Sequence, residues 1–154
     1  MLTVEPLARH PRHLDFVAGL VWREFWAEVQ GGMSEAELRA AFGGQAPPGR
    51  VLASLLALEG DTPLGCVHLI DNDDPSLPEL HPWLAAMVVV PERRGQGIGS
   101  RLVRALLAEA HAQGFERLWL GTDGPGFYER LGAVRERERG PGFWTLRFDL
   151  VPAP

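Results

Sequence analysis

No lysine occurs in this chain, and its 154 residues include one cysteine and one tyrosine. The missing lysine excludes the nucleoside-triphosphate loop, whose Gly-x-x-x-x-Gly-Lys-Ser/Thr signature needs that side chain at the phosphates. Cys66 has no second thiol to pair with, which excludes an internal disulfide and a cysteine-built zinc site. A lone thiol in an apolar run reads as a buried, inert core group and suits a reducing compartment. His10-x-x-His13 lacks a nearby second pair of ligands, so no metal is expected. No apolar stretch approaches the length of a bilayer span, and the first residues lack a basic-then-apolar leader layout. A cytoplasmic protein without membrane contact is the expectation.

What is present describes an ordinary globular chain, 45% hydrophobic and 23% charged, expected as a single domain over residues 1–154. A net charge of −5 argues against general nucleic-acid binding. The charge is unevenly placed. Between Val51 and Val90 stand Glu59, Asp61, Asp71, Asp73, Asp74 and Glu79 with no arginine, and Arg93, Arg94, Arg101 and Arg104 follow. One stretch suits a cation and the next a polyanion; plain solvated surface is the alternative for any single member.

Periodicity places a short strand at Leu2–Glu5 and a helix from Pro11 to Gln30, with Leu14, Val17, Val21 and Phe25 on one stripe. Ser34-Glu35-Ala36-Glu37 reads as a capping box opening a second helix to Phe42, followed by a loop over residues 43–49. Val51–Glu59 and Leu64–Ile70 form a hairpin through Gly60-Asp61-Thr62-Pro63, and Asp71–His81 is a polar loop. Trp83–Val90 is a strand. A helix runs from Ile98 to a stop at Gly114, with Ile98, Leu102, Leu106 and Ala110 spaced four apart. Leu118–Leu120 is a strand, a short helix follows, and Val134–Arg139 pairs with Phe143–Leu150 across Gly140-Pro141-Gly142. The order β-α-α-β-β-β-α-β-α-β-β predicts an α/β fold, a mixed, mostly antiparallel twisted sheet flanked by helices.

The stretch Arg94-Gly95-Gln96-Gly97-Ile98-Gly99-Ser100 carries the functional signal. It lies between a strand and a helix N-terminus, where first-turn amides lack intrahelical partners and the dipole favours an anion. Glycine lets the backbone approach a ligand closely. A phosphorylated cofactor is therefore expected. The dinucleotide fingerprint needs Gly-x-Gly-x-x-Gly and a later acidic residue, whereas the spacing here is Gly-x-Gly-x-Gly. Arg94-x-x-Gly97-x-Gly99 instead fits the pattern Arg/Gln-x-x-Gly-x-Gly/Ala.

That pattern resembles the coenzyme A loop of the GCN5-related N-acetyltransferase family. Gly126-Phe127-Tyr128-Glu129-Arg130-Leu131-Gly132-Ala133 resembles the family's Phe-Tyr-x-x-Leu-Gly-Phe helix, with Ala133 in place of the last aromatic. The likeness covers residues 50–150 well and residues 1–49 in general layout. It implies acetyl-CoA as co-substrate, with its pyrophosphate over Gly95, Gln96, Gly97, Ile98, Gly99 and Ser100 beside Arg94. The pantetheine would run along Val88, Val89 and Val90, and Thr122 and Phe127 would complete the cofactor site. Tyr128 would protonate the leaving thiolate, and the amide of Val88 or Val89 would stabilise the oxyanion.

The base is open. The strand Leu84–Val90 has no carboxylate. Glu79 and His81 precede it and are candidates for base or substrate anchor, as are Asp71, Asp73 and His68, although His68 also reads as a structural histidine. Trp22, Trp26 and Trp83 would line the acceptor pocket, with core packing as their alternative. The implied activity is acetyl transfer to a primary amine of a small molecule or peptide, a cationic one if Asp73 and its neighbours bind it. A coenzyme A–binding sensor without turnover, or a relative using another acyl group, is the alternative. Exposed sheet edges leave monomer and homodimer both open.

Overall fold

A computed structural model describes residues 1–45 and 50–150. The predicted loop residues 46–49 lie outside that range. Seven strands form one sheet in the order β1-β2-β3-β4-β5-β7-β6. They are β1 Leu2–Pro6, β2 Val51–Glu59, β3 Thr62–Ile70, β4 Trp83–Val89, β5 Arg117–Thr122, β6 Val134–Gly140 and β7 Phe143–Asp149. All neighbours are antiparallel except β4 and β5. The helices are α1 Leu14–Val21, α2 Glu35–Ala40, α3 Ile98–Ala112 and α4 Pro125–Glu129. The element order is the one periodicity predicts.

Alternate residues of a strand face opposite sides of a sheet, and β3 uses that to hold helices on both. A Cβ on Gly65 would meet Leu102 of α3, whereas His68 stacks on Phe42 just after α2. The apolar stripe of α3 is the seam on its side. Ile98, Leu102, Val103, Leu106 and Ala110 are all buried, each large side chain contributing about 2 kcal/mol. The capping box of α2 forms as expected: Ser34 Oγ accepts from Glu37 N at 3.1 Å and Ser34 N donates to Glu37 Oε1 at 3.3 Å.

The first helix departs from its periodicity. Pro11–His13 is a separate 3-10 turn, regular α geometry stops at Val21, and Trp22–Trp26 is a π-helical turn closed by Ala27 N to Trp22 O at 2.8 Å. The wider turn adds a residue and rotates everything after it. Phe25, expected on the buried stripe, is 42% exposed in consequence. No described helix is long and apolar enough to cross a membrane.

Two irregularities in the middle of the sheet shape the site. β4 pairs with β3 as Cys66 with Val88 and His68 with Ala85, so Ala86 and Met87 together oppose Val67. That two-for-one count is a β-bulge, and Ala86 sits at φ 53°, the only non-glycine residue with positive φ among those described. On its other side β4 meets β5 at Trp83 and Trp119 alone, with Trp119 N donating to Pro82 O at 3.0 Å. Past that point the parallel strands diverge, and the edge of β4 is left open over the bulge.

Candidate active site

The loop before α3 turns twice through left-handed backbone, Gly95 at φ 78° and Gly97 at φ 82°. Alternation of this kind turns successive N–H groups inward to make an anion-binding nest. The first main-chain bond of α3 is Arg101 N to Gly97 O at 3.1 Å, so the amides of Ile98, Gly99 and Ser100 precede any intrahelical partner. A Cβ on Gly99 would stand 3.4 Å from Met87 and from Phe127, leaving room for little more than glycine or alanine.

A cleft of roughly 500 Å³ opens over this nest. Its walls include Val88 and Val89, Arg94, Gly95, Gly97 to Ser100, and Phe127. Most of the cofactor residues predicted from the sequence therefore stand together. Arg94 is held by Val89 O at 2.9 Å and by Glu24 at 3.1 Å, and Arg93 grips Glu59 through two bonds of 3.1 and 3.0 Å. Arg130, which the sequence reading passed over, adds a third cation to the cleft beside Arg93 and Arg94.

Three of the expected cofactor residues lie outside the lining of this cleft. The amide of Val90 is spent on Leu64 O at 2.9 Å and its side chain is buried, so it does not face the cleft. Gln96 turns its amide oxygen to Arg93 Nε at 2.9 Å and lies outside the lining. Thr122 accepts from Gly124 N at 2.9 Å and belongs to the neighbouring cavity instead.

That second cavity, roughly 880 Å³, lies on the α1–α2 side and meets the cleft at Glu24 and Met87. Ala85 and Ala86 of the bulge, Trp26, His68, Asp73, Asp123 and Tyr128 line it. Burial raises the Tyr128 phenol from its ordinary 10 to about 12, so it is fully protonated at neutral pH. His68 is completely buried, bonded through Nδ1 to Ser54 Oγ at 2.8 Å, with no partner for Nε2 among the described residues. Desolvation lowers its pKa to about 3. A ring so resistant to protonation is a neutral hydrogen-bonding group rather than a base, in line with its structural reading. Burial also raises the Cys66 thiol well above its ordinary range, which leaves it inert.

The predicted catalytic and acceptor residues are only partly brought together. Tyr128, Trp26 and Asp73 share the cavity. Trp83 does not: it is 1% exposed and donates its indole N–H to Leu80 O at 2.8 Å, a core residue at the sheet's centre. Trp22 packs half-buried against the core. Glu79 is exposed outside both cavities. His81 is tied to Asp71 and stands edge-on to Phe115, ring centroids 5.2 Å apart. The bulge sits three residues into β4, further along the strand than the sequence neighbours of its start. Glu24, Arg50 and the bulge itself were not anticipated; a left-handed alanine has no signal in composition or periodicity.

Residues 17–133 match the acetyltransferase (GNAT) family. Human N-acetyltransferase 8B is 34% identical over 92 residues, 56% of this chain and 40% of that protein, so the chain matches less than half of this relative's length. The solved structure of aminoglycoside 6′-acetyltransferase type Ii is similar at a TM-score of 0.75 with 25% identity, covering 99% of both chains. An aminoglycoside 6′-N-acetyltransferase complexed with coenzyme A shares the fold at a TM-score of 0.75 and 22% identity, again over 99% of both. With the glycine nest, the bulged β4 and the β4–β5 divergence described above, the match over 17–133 establishes that the chain belongs to the acetyltransferase (GNAT) family.

Proposed function

We propose that this protein, working as a single domain, is an acetyl-CoA-dependent N-acetyltransferase acting on a primary amine of a small molecule or peptide. The observation that carries the reading is the junction of the two cavities at Met87 of the bulge, with Tyr128 on the wall of the second. The nest amides and Arg94 suit a pyrophosphate, and the open edge of β4 suits the amide-bearing pantetheine arm, which can hydrogen-bond along it as another strand would. The thioester then reaches the divergence of β4 and β5, where the amine cavity begins.

At that point the neutral amine attacks the thioester carbonyl directly. The nitrogen–carbon bond forms, the carbon–sulfur bond breaks, and the oxyanion between these events is stabilised by a main-chain N–H of β4 freed by the bulge. Tyr128 gives its proton to the departing thiolate and is reprotonated from solvent, which receives the proton that the attacking nitrogen loses as the amide forms. Because β4 carries no carboxylate, the attacking amine loses its proton to water or to a group across the cavity.

The missing strand carboxylate also favours the second reading, a coenzyme A sensor without turnover. Thiol release from acetyl-CoA across a panel of amines separates the two. Amine-stimulated release with an acetylated product of the expected mass supports the transferase, whereas tight coenzyme A binding with no stimulated release supports the sensor.

A further inference from the structure

The run Asp71-Asn72-Asp73-Asp74 after β3 uses three of its four side chains to hold its own loop. Asn72 Nδ2 donates to Leu77 O at 3.0 Å and Leu80 O at 3.3 Å, and its oxygen accepts from Asp74 N at 3.1 Å. Asp74 accepts from Ser76 N at 2.9 Å and Ser76 Oγ at 2.6 Å and faces Arg139 at 3.7 Å. Asp71 is tied to His81. The side chain of Asp73 alone has no hydrogen bond or ion pair among the described residues, and it lines the acceptor cavity. It is open by surface area yet desolvated by the protein around it, as a carboxylate facing into a concavity should be.

Its position decides what it can do. Val67 lies opposite the bulge and Ile70 opposite Trp83, so at about 3.3 Å per residue the end of β3 is roughly 10 Å from the reacting centre. Asp73 follows that end by three residues and stands on the wall of the same cavity. Apolar side chains, among them Trp26, Phe42 and Phe143, line the space. The charges around it are Glu24, Asp123 and Asp73 against Arg50, with Glu24 already held by Arg94 and His68 neutral.

We infer that Asp73 docks a second, distal cationic group of the acceptor, so that the cavity selects elongated diamines over simple monoamines. This deepens the transferase reading and rests on it. A desolvated carboxylate meeting an ammonium is a close charge pair, the kind whose loss costs binding rather than chemistry.

The test compares α,ω-diaminooctane with n-octylamine on the wild-type protein, Asp73→Asn and Asp73→Glu. The diamine is expected to exceed the monoamine by about tenfold in kcat/KM for the wild type and to fall to about parity in Asp73→Asn. Asp73→Glu, which keeps the charge, is expected to retain most of the preference. In a second arm, thermal unfolding with coenzyme A present reads diamine binding without turnover, since a ligand bound to the folded state raises Tm. The diamine should raise Tm of the wild type and not of Asp73→Asn. Equal use of both amines by the wild type, a preference that survives in Asp73→Asn, or no difference in Tm response overturns the inference. If no amine stimulates thiol release, the transferase reading fails, and the Tm arm still decides whether Asp73 holds a diamine.

Discussion

Phe127 and Tyr128 stand edge to face, their ring centroids 4.9 Å apart and their planes at 87°, and they line different cavities. Phe127 faces the cleft over the glycine nest, and Tyr128 faces the acceptor space. One turn of α4 thus touches both sides of the proposed transfer. Removing only the hydroxyl should spare the packing: Tyr128→Phe is expected to lower kcat by about a hundredfold, the scale of general-acid catalysis, with little change in coenzyme A affinity. Steady-state kinetics with calorimetry of coenzyme A binding checks this, and an unchanged kcat removes Tyr128 from the chemistry.

The same residue permits a direct titration, because it is the only tyrosine in the chain. Phenolate absorbance in the folded protein should have its midpoint near 12, against about 10 after unfolding. The folded state binds this proton more tightly, so the stability it contributes is complete below about pH 10 and is lost as pH rises toward 12. The rate should accordingly show no alkaline limb from Tyr128 below about pH 11. A folded midpoint at the ordinary value refutes the burial argument.

Gly97 caps α3 in left-handed geometry that costs an L-residue about 1–2 kcal/mol. Gly97→Ala is expected to lower Tm by about 2–8 °C. Turning the nest amides away should also weaken coenzyme A binding by more than tenfold, about 1.4 kcal/mol. Differential scanning fluorimetry and calorimetry read the two effects separately. Full affinity in the variant would remove the nest from cofactor binding.

Gly65 faces a different constraint. A Cβ there would come within 2.6 Å of Val88 O, a backbone atom with no rotamer to change. Gly65→Ala is expected to destabilise by about 1–3 kcal/mol, the usual cost of overpacking, and to raise the Michaelis constant for acetyl-CoA by shifting β4. Denaturant unfolding decides it; a neutral result means that β3 and β4 can separate without cost.

Asp73 should reveal itself through pH. Burial raises its carboxyl from 3.8 to about 6, with Arg50 opposing the shift and Asp74 adding to it, while Glu24, Asp123 and neutral His68 share the cavity walls. The folded protein therefore holds this proton more tightly than the unfolded chain. Ionising it costs stability from about pH 4 upward and levels off above about pH 6. Asp73→Asn is expected to raise Tm at neutral pH and to change it little near pH 4. A loss of stability at neutral pH would mark Asp73 as a structural residue instead.

Much of the fold was legible because it rests on local patterns. The α3 stripe, the Ser34 capping box and the hairpin signal at Gly60 to Pro63 each encode an element in a few neighbouring residues. The nest was legible for the same reason, since alternating glycines before a helix dictate outward amides wherever they occur. The acceptor side was less so. Trp83, Glu79 and His81 adjoin β4 in sequence, yet the bulge where the proposed transfer takes place lies three residues further along β4 and leaves them behind.

The amino-acid sequence by itself determined the order of elements, the glycine turn before α3 and the family likeness, because these depend on spacings within one segment. Only the tertiary structure decided which carboxylate is free, which tryptophan meets a cavity and where β4 opens. Those depend on strand register, on the π turn that rotates Glu24 and Phe25, and on a left-handed alanine that packing alone holds in place. Contacts between distant segments set all three, and no window of neighbouring residues contains them.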